Sequence, residues 1–184
     1  DIAAMLRERG LDPELVTPFN HLSFRLLRHF NPRRILEINP GKGINTLFLH
    51  EGAPGARCTC FETDPASLSF ARKLLNYREE TWQDGRRYDG TGALRFVSSL
   101  PAPGEGIFDA IFIYLENTAA PPVETLLELG YEGSFWVIHP IREGVGKQFW
   151  SKIVNEESIK VTFDMKDTGV VFIGPSLTPA NYLI

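Results

Sequence analysis

Cysteine and methionine are scarce in this chain, with two of each among 184 residues. The cysteines, Cys58 and Cys60, are two positions apart, so on a strand both side chains would point to the same face. No other cysteine is present to complete a four-ligand metal cluster. The spacing is therefore more typical of two small core residues than of a metal site, and we expect a cytoplasmic protein.

Long apolar runs and basic runs are also missing. The longest apolar stretches have five or six residues, which is too short for a transmembrane helix, and the first residues lack the basic-then-apolar order of a signal peptide. The formal net charge is −4, and no basic run exceeds Arg33-Arg34 and Arg86-Arg87. Nucleic-acid surfaces need clustered Lys and Arg. We therefore expect neither a membrane nor a nucleic acid as a partner.

The composition is that of a globular protein, with 43% hydrophobic and 23% charged residues. Strand-like and helix-like segments alternate, which favours a parallel sheet with crossover helices. Asp12-Pro13-Glu14 predicts the start of a helix that apolar residues at helical spacing continue to Phe30. Further helices are predicted over 43–50, after Asp64-Pro65, over 122–129 and over 145–155. Strands are predicted over 34–38, 57–63, 94–97, 108–114, 134–139, 159–164 and 169–173.

The connections between these segments predict the topology. The segment 98–107 has too few residues for a full crossover, and residues 165–168 join the last two strands too tightly for a parallel pair. The order predicts an α/β fold with a mostly parallel seven-stranded sheet and a C-terminal antiparallel hairpin. We expect one domain over 1–184, with a helical cover over 1–31 and the core over 32–184. The polar segment 78–92 predicts a mobile loop.

A glycine-bearing turn stands between the first strand and its helix, in the segment Glu37-Ile-Asn-Pro-Gly-Lys-Gly-Ile-Asn45. Its glycines let the backbone approach a ligand closely, and the helix N-terminus offers unpaired N–H groups. A dinucleotide fingerprint would need a third glycine at Thr46. The spacing therefore disfavours a dinucleotide, while an ordinary strand-turn-helix connection stays open as the alternative.

The turn resembles the first motif of class I S-adenosylmethionine (SAM)-dependent methyltransferases, with Asn39 in place of the usual first glycine. Asn tolerates left-handed backbone well. The segments 21–30, 62–65 and 162–172 are similar to those of bacterial O-methyltransferases, so the resemblance implies their Rossmann-like fold and SAM as the cofactor. It places Glu62 on the ribose hydroxyls. The remaining implied cofactor residues are Glu37, Asn39, Gly41, Gly43, Ser98 and Ser99.

The end of the sheet that would hold the methyl acceptor departs from that family. Metal-dependent O-methyltransferases carry aspartates where this chain has Tyr114 and His139-Pro140. A hard cation needs several oxygen ligands, and Glu116 and Asn117 offer too few to replace those aspartates. We therefore expect no Mg²⁺ or Ca²⁺ site. Tyr114, Glu116 and Asn117 are the predicted acceptor-binding residues, beneath the helix around 19–30. His139 is the candidate general base; a histidine that closes a strand, with a ring nitrogen bonded to a carbonyl, is the alternative.

Two classes of function follow from these observations. The first is a metal-independent SAM-dependent methyltransferase acting on a small-molecule or peptide-like acceptor. The second is a catalytically silent SAM-binding or SAM-fold protein with a regulatory or assembly role, which the missing aspartates and Asn39 favour. An NAD-dependent oxidoreductase is disfavoured by the glycine spacing and by the C-terminal hairpin.

Overall fold

The computed structural model describes residues 2–75, 94–116, 118–174 and 176–184. The described residues form a central sheet with helices on both faces. The helices are α1 (Ile2–Glu8), α2 (Pro18–Phe30), α3 (Ile44–Gly52), α4 (Pro65–Leu74), α5 (Val123–Glu128) and α6 (Gly144–Val154). The strands are β1 (Arg34–Ile38), β2 (Arg57–Phe61), β3 (Leu94–Val97), β4 (Ala110–Tyr114), β5 (Phe135–His139), β6 (Ile159–Met165), β7 (Thr168–Ile173) and β8 (Ala180–Leu183).

The strand order is β3-β2-β1-β4-β5-β7-β6-β8. Strands β1 to β5 are parallel, and β7 is antiparallel to both β5 and β6. This confirms the predicted α/β fold with its antiparallel hairpin. The sheet has an eighth strand that was not predicted, because β8 pairs in parallel with β6 at the edge. The chain runs outward from β1 to β3 and then returns to β4, so the strand order reverses between β1 and β4.

The prediction of one helix from Pro13 to Phe30 is wrong. Asp12 caps a short 3-10 turn, Pro13–Leu15, by accepting a hydrogen bond from the Glu14 N–H. The chain then becomes extended at Thr17, and α2 begins at Pro18. A proline disfavours helical backbone in the residue before it, which explains the break.

The N-terminal helix α1, Ile2–Glu8, packs against the core. Leu6 of α1 is fully buried and lies in a small apolar cluster with Leu47 of α3 and Leu74 of α4. This contact joins the N-terminal helix to two helices of the α/β core.

Apolar side chains fill both faces of the sheet, as expected for parallel strands covered by helices. On one face, Leu36 and Ile111 pack with residues of α5 and α6, including Leu126 and Phe149. The other face packs against α2 and α3. No helix within the described ranges is long and apolar enough to cross a membrane. The loop predicted over 78–92 lies outside the described residues.

Candidate functional site at the carboxyl edge of the sheet

The turn between β1 and α3 has left-handed backbone at three positions: Asn39 (φ 59°), Gly41 (φ 56°) and Gly43 (φ 77°). At Gly43 an added Cβ would lie 3.0 Å from the Cβ of Ala71, so the close approach of the turn to α4 requires glycine. At Gly41 an added Cβ would meet no atom within 4 Å. The turn therefore packs tightly on one side and faces open space at Gly41.

Glu62 holds the end of β2 against this turn. Its Oε2 accepts a hydrogen bond from the Gly41 N–H (3.0 Å), and its Oε1 accepts one from the Asp64 N–H (2.8 Å). The side chain is buried. A carboxylate has about four acceptor positions, so each oxygen keeps capacity for a hydroxyl of a ligand beside Gly41.

Glu37 lies beneath the turn, facing α3. Its Oε1 accepts from the Asn45 Nδ2 (3.1 Å), and its Oε2 accepts from the Thr46 hydroxyl (2.6 Å). Burial raises the pKa of Glu37 to about 7, although these hydrogen bonds oppose the rise. Asn45 in turn accepts from Asn20 of α2. The predicted contact of Glu37 with a ligand stays a prediction, and the observed contacts give Glu37 a supporting position under the turn.

The two cysteines lie beside Glu37. The sulfur atoms of Cys58 and Cys60 are 3.8 Å apart, and Cys60 Sγ lies 3.6 Å from Glu37 Oε2. The parallel register places Glu37 directly opposite Cys60, which the spacing within one strand could not reveal. The ligand atoms of the three residues all lie within 4.8 Å of one another. Since α3 already donates to both carboxylate oxygens, we interpret the group as hydrogen-bonded core residues.

Asn39 connects the end of β1 to the end of β4. Its Nδ2 donates to the Tyr114 carbonyl oxygen and to the Thr118 hydroxyl oxygen, each at 3.0 Å. The side chain is buried. Thr118 was not predicted as a site residue, because its only signal in the sequence is a hydroxyl four residues beyond Tyr114.

Three aromatic rings meet at the neighbouring strand ends. The Phe19 ring of α2 stacks on the His139 imidazole, with centroids 4.7 Å apart and planes 9° apart. The Tyr114 ring lies 5.8 Å from that imidazole, and its hydroxyl donates to the Glu116 carboxylate. Burial, and then the Glu116 carboxylate, raise the pKa of Tyr114. The structure thus brings α2, Tyr114, Glu116 and His139 together.

His139 is held in one orientation at the end of β5. Its Nδ1 lies 3.1 Å from the Asp167 carbonyl oxygen and 2.9 Å from the Thr168 hydroxyl. A carbonyl oxygen can only accept, so this contact favours the neutral tautomer with the proton on Nδ1 and the lone pair on Nε2. Burial lowers the pKa of His139. His139 was alternatively predicted to close β5 with a ring nitrogen bonded to a carbonyl, and that contact is present. It involves Nδ1 and leaves Nε2 able to accept a proton.

Three predicted site residues, Ser98, Ser99 and Asn117, have not yet been placed. Ser98 and Ser99 follow β3 directly and are exposed at the same edge of the sheet. Asn117 lies outside the described residues.

No protein-family model and no curated protein matches this chain. Solved structures do match it. An SAH-bound methyltransferase from Podospora anserina is 14% identical, with a TM-score of 0.66 over 94% of this chain and 87% of that chain. An O-methyltransferase from Streptomyces achromogenes in complex with SAM is 19% identical, with a TM-score of 0.62 and coverages of 94% and 88%. An O-methyltransferase from Bacillus cereus in complex with SAH is 19% identical, with a TM-score of 0.61 and coverages of 93% and 90%. The chain therefore has the Rossmann-like fold of these enzymes.

Proposed function

We propose that this chain is a SAM-dependent methyltransferase that acts on a small-molecule or peptide-like acceptor without Mg²⁺ or Ca²⁺. The observation that carries the proposal is the turn at the reversal of strand order, where Glu62 is bonded to the Gly41 N–H on a fold shared with SAM-bound and SAH-bound enzymes. Ligands of open α/β sheets bind at this point, outside the carboxyl ends of the strands.

The residues present fit this cofactor. Glu62 has acceptor capacity for two ribose hydroxyls, and the open space at Gly41 leaves room for a ligand against the backbone. Ser98 and Ser99 would border the adenine, and Asn39, Gly41 and Gly43 would border the methionine and sulfonium part. Glu37 would keep the turn in place from below, through Asn45 and Thr46. When bound, SAM supplies an electrophilic methyl group.

The acceptor would lie beside Tyr114, Glu116 and Asn117. His139 is neutral near pH 7 because burial lowers its pKa, so its Nε2 would accept the proton that the acceptor loses. Tyr114 and Glu116 would orient the acceptor by hydrogen bonds. Most of the rate would come from positioning, which requires few dedicated catalytic groups. The net charge of −4 favours an acceptor other than a nucleic acid.

One observation supports the catalytically silent alternative. Phe19 is 4% exposed and its ring covers one face of the His139 imidazole, while Tyr114 and Glu116 bond to each other. Groups that satisfy one another are less available to an acceptor. A protein that binds SAM and never transfers its methyl group to any acceptor would fit this alternative.

Calorimetric titration with SAM, S-adenosylhomocysteine and NAD tests the proposal. We expect SAM and S-adenosylhomocysteine to bind and NAD not to bind. Glu62→Ala should weaken SAM binding by about 1.5–3 kcal/mol, the range for hydrogen bonds to a charged group. Gly41→Leu should abolish binding, because a side chain would enter the open space of the turn.

Gly10→Leu is the matched control for Gly41→Leu. Gly10 also has left-handed backbone (φ 72°) and open surroundings, but it follows α1 rather than β1. Its variant should carry the same backbone strain and keep its affinity for SAM. Undiminished SAM affinity in both Gly41→Leu and Glu62→Ala would show that the cofactor site is misassigned.

A further inference from the structure

The Asn39 side chain forms a closed hydrogen-bonded bridge between two strand ends. Both protons of its Nδ2 are used, one by the Tyr114 carbonyl oxygen and one by the Thr118 hydroxyl oxygen, each at 3.0 Å. The Thr118 hydroxyl also donates to the Tyr114 carbonyl oxygen, at 3.2 Å. Asn39 itself is 7% exposed. The three groups therefore satisfy one another in a partly buried position.

This bridge crosses the crevice in which a ligand is expected. β1 and β4 are neighbours in the sheet, and the strand order reverses between them. In open α/β sheets, the crevice outside the carboxyl ends at such a reversal is the ligand site. Asn39 is the first residue after β1, and Tyr114 is the last residue of β4. A glycine at position 39 would have no side chain with which to close this crevice.

The loop that the bridge holds also carries a predicted acceptor residue. Glu116 lies between Tyr114 and Thr118 and accepts a hydrogen bond from the Tyr114 hydroxyl. Glu116 is two positions from each of the two residues that Asn39 contacts. A change in those contacts would therefore affect the position of Glu116.

We propose that Asn39 is a latch on the cofactor site. Its carboxamide must leave the Tyr114 carbonyl oxygen and the Thr118 hydroxyl before the amino-acid part of the cofactor can enter between β1 and β4. Cofactor binding then frees the Tyr114 carbonyl oxygen and the Thr118 hydroxyl, and Tyr114 and Glu116 become available to the acceptor afterwards. This proposal rests on the proposed function for its ligand, while the latch itself is a property of the free protein.

The latch has a measurable effect on affinity. If the open state is a minor fraction of the free protein, the apparent dissociation constant exceeds the intrinsic one by the inverse of that fraction. Two net hydrogen bonds of ordinary strength would keep the open state at roughly a tenth or less of the free protein. Removing the latch should then tighten SAM binding about tenfold, or by about 1.4 kcal/mol.

Asn39→Gly tests this expectation without disturbing the backbone. Asn39 has left-handed backbone (φ 59°), which glycine adopts readily and alanine does not. Asn31→Gly is the matched control, since Asn31 is also left-handed (φ 47°) but is exposed at the end of α2. Both substitutions add similar freedom to the unfolded chain. Calorimetry should give about tenfold tighter SAM binding for Asn39→Gly, a smaller gain for Thr118→Val, and no change for Asn31→Gly.

Hydrogen exchange of the free protein provides a second readout that needs no ligand. The Leu115 amide, which donates to the His139 carbonyl oxygen at 2.8 Å, should exchange faster in Asn39→Gly than in the wild type, and Asn31→Gly should match the wild type there. Adding SAM to the wild type should speed the exchange of this amide. If Asn39→Gly binds SAM with equal or weaker affinity, or if its free form exchanges like the wild type, the latch is overturned. If no variant binds SAM while the exchange difference is present, the proposed function fails and the latch stands.

Discussion

The buried carboxyl of Glu37 makes the stability of this protein depend on pH in a direction opposite to that of most carboxylates. In the folded chain its pKa is raised from 4.5 to about 7, chiefly because the side chain is fully buried. The hydrogen bonds from Thr46, Asn45 and Cys60 lower the pKa but do not outweigh burial. The folded protein therefore holds a proton that the unfolded chain releases near pH 4.5.

The sign of the effect follows from proton linkage. Between pH 4.5 and about 7 the folded state binds more protons than the unfolded state, so the free energy of unfolding falls as the pH rises. The stabilisation is fully present below pH 4.5 and is lost by the time the pH has passed about 7. At 1.36 kcal/mol per pH unit, the whole effect is about 3 kcal/mol. That is a large share of the roughly 5–15 kcal/mol by which a domain is stable.

Glu37→Gln removes the titration and keeps the local contacts. The glutamine Oε1 would accept from the Asn45 Nδ2, and its Nε2 would donate to the Thr46 hydroxyl oxygen. The free energy of unfolding should be measured in urea at a series of pH values from about 4.5 to 8. Tryptophan fluorescence provides the signal, since Trp136 is fully buried in the folded protein. From the low to the high end, the wild type should lose about 3 kcal/mol relative to Glu37→Gln.

Glu128→Gln is the matched control, because Glu128 is exposed and the substitution removes the same charge. Its free energy of unfolding should run parallel to that of the wild type over the series. A difference between wild type and Glu37→Gln that stays constant within about 0.5 kcal/mol would refute the reasoning. A difference that grows in favour of the wild type as the pH rises would mean that the hydrogen bonds outweigh burial.

Three further outcomes are expected. Burial lowers the pKa of His139 from its ordinary value of 6.5, so the rate of methyl transfer should be level at neutral pH and fall only at a pH below that ordinary value. A His139→Ala variant that keeps the full rate from about pH 6 to 9 would remove the base role. Methyl transfer should persist in EDTA, and activity lost in the chelator and restored by Mg²⁺ would contradict the assignment of Tyr114 and His139. Gly146→Ala should destabilise the protein by roughly 1–3 kcal/mol, because its Cβ would lie 1.7 Å from the Pro140 carbonyl oxygen. Gly55→Ala, which meets no atom within 4 Å, should leave thermal stability unchanged, and equal melting temperatures for the two variants would contradict the packing argument.

Elements set by local chemistry could be predicted from the sequence. β1 and β3 have the predicted bounds, and Asp64 caps α4 at Pro65 by accepting from the Ser67 N–H. A cap or an apolar run acts within a few residues, so its effect is visible in the sequence. The helix predicted from Pro13 failed at Thr17 because two competing local signals, Pro13 and Pro18, stand five residues apart. β8 was missed because its side chains are largely exposed and show no buried alternation.

The sequence by itself determined the fold class and the position of the glycine turn, because periodicity and turn chemistry are encoded by neighbouring residues. Only the tertiary structure decided which distant groups touch. The parallel register brought Cys60 to Glu37, and the reversal of strand order brought Asn39 to Tyr114 and Thr118. These contacts join residues 23 to 79 positions apart. They depend on strand pairing and sheet order, which no pattern within a single segment specifies.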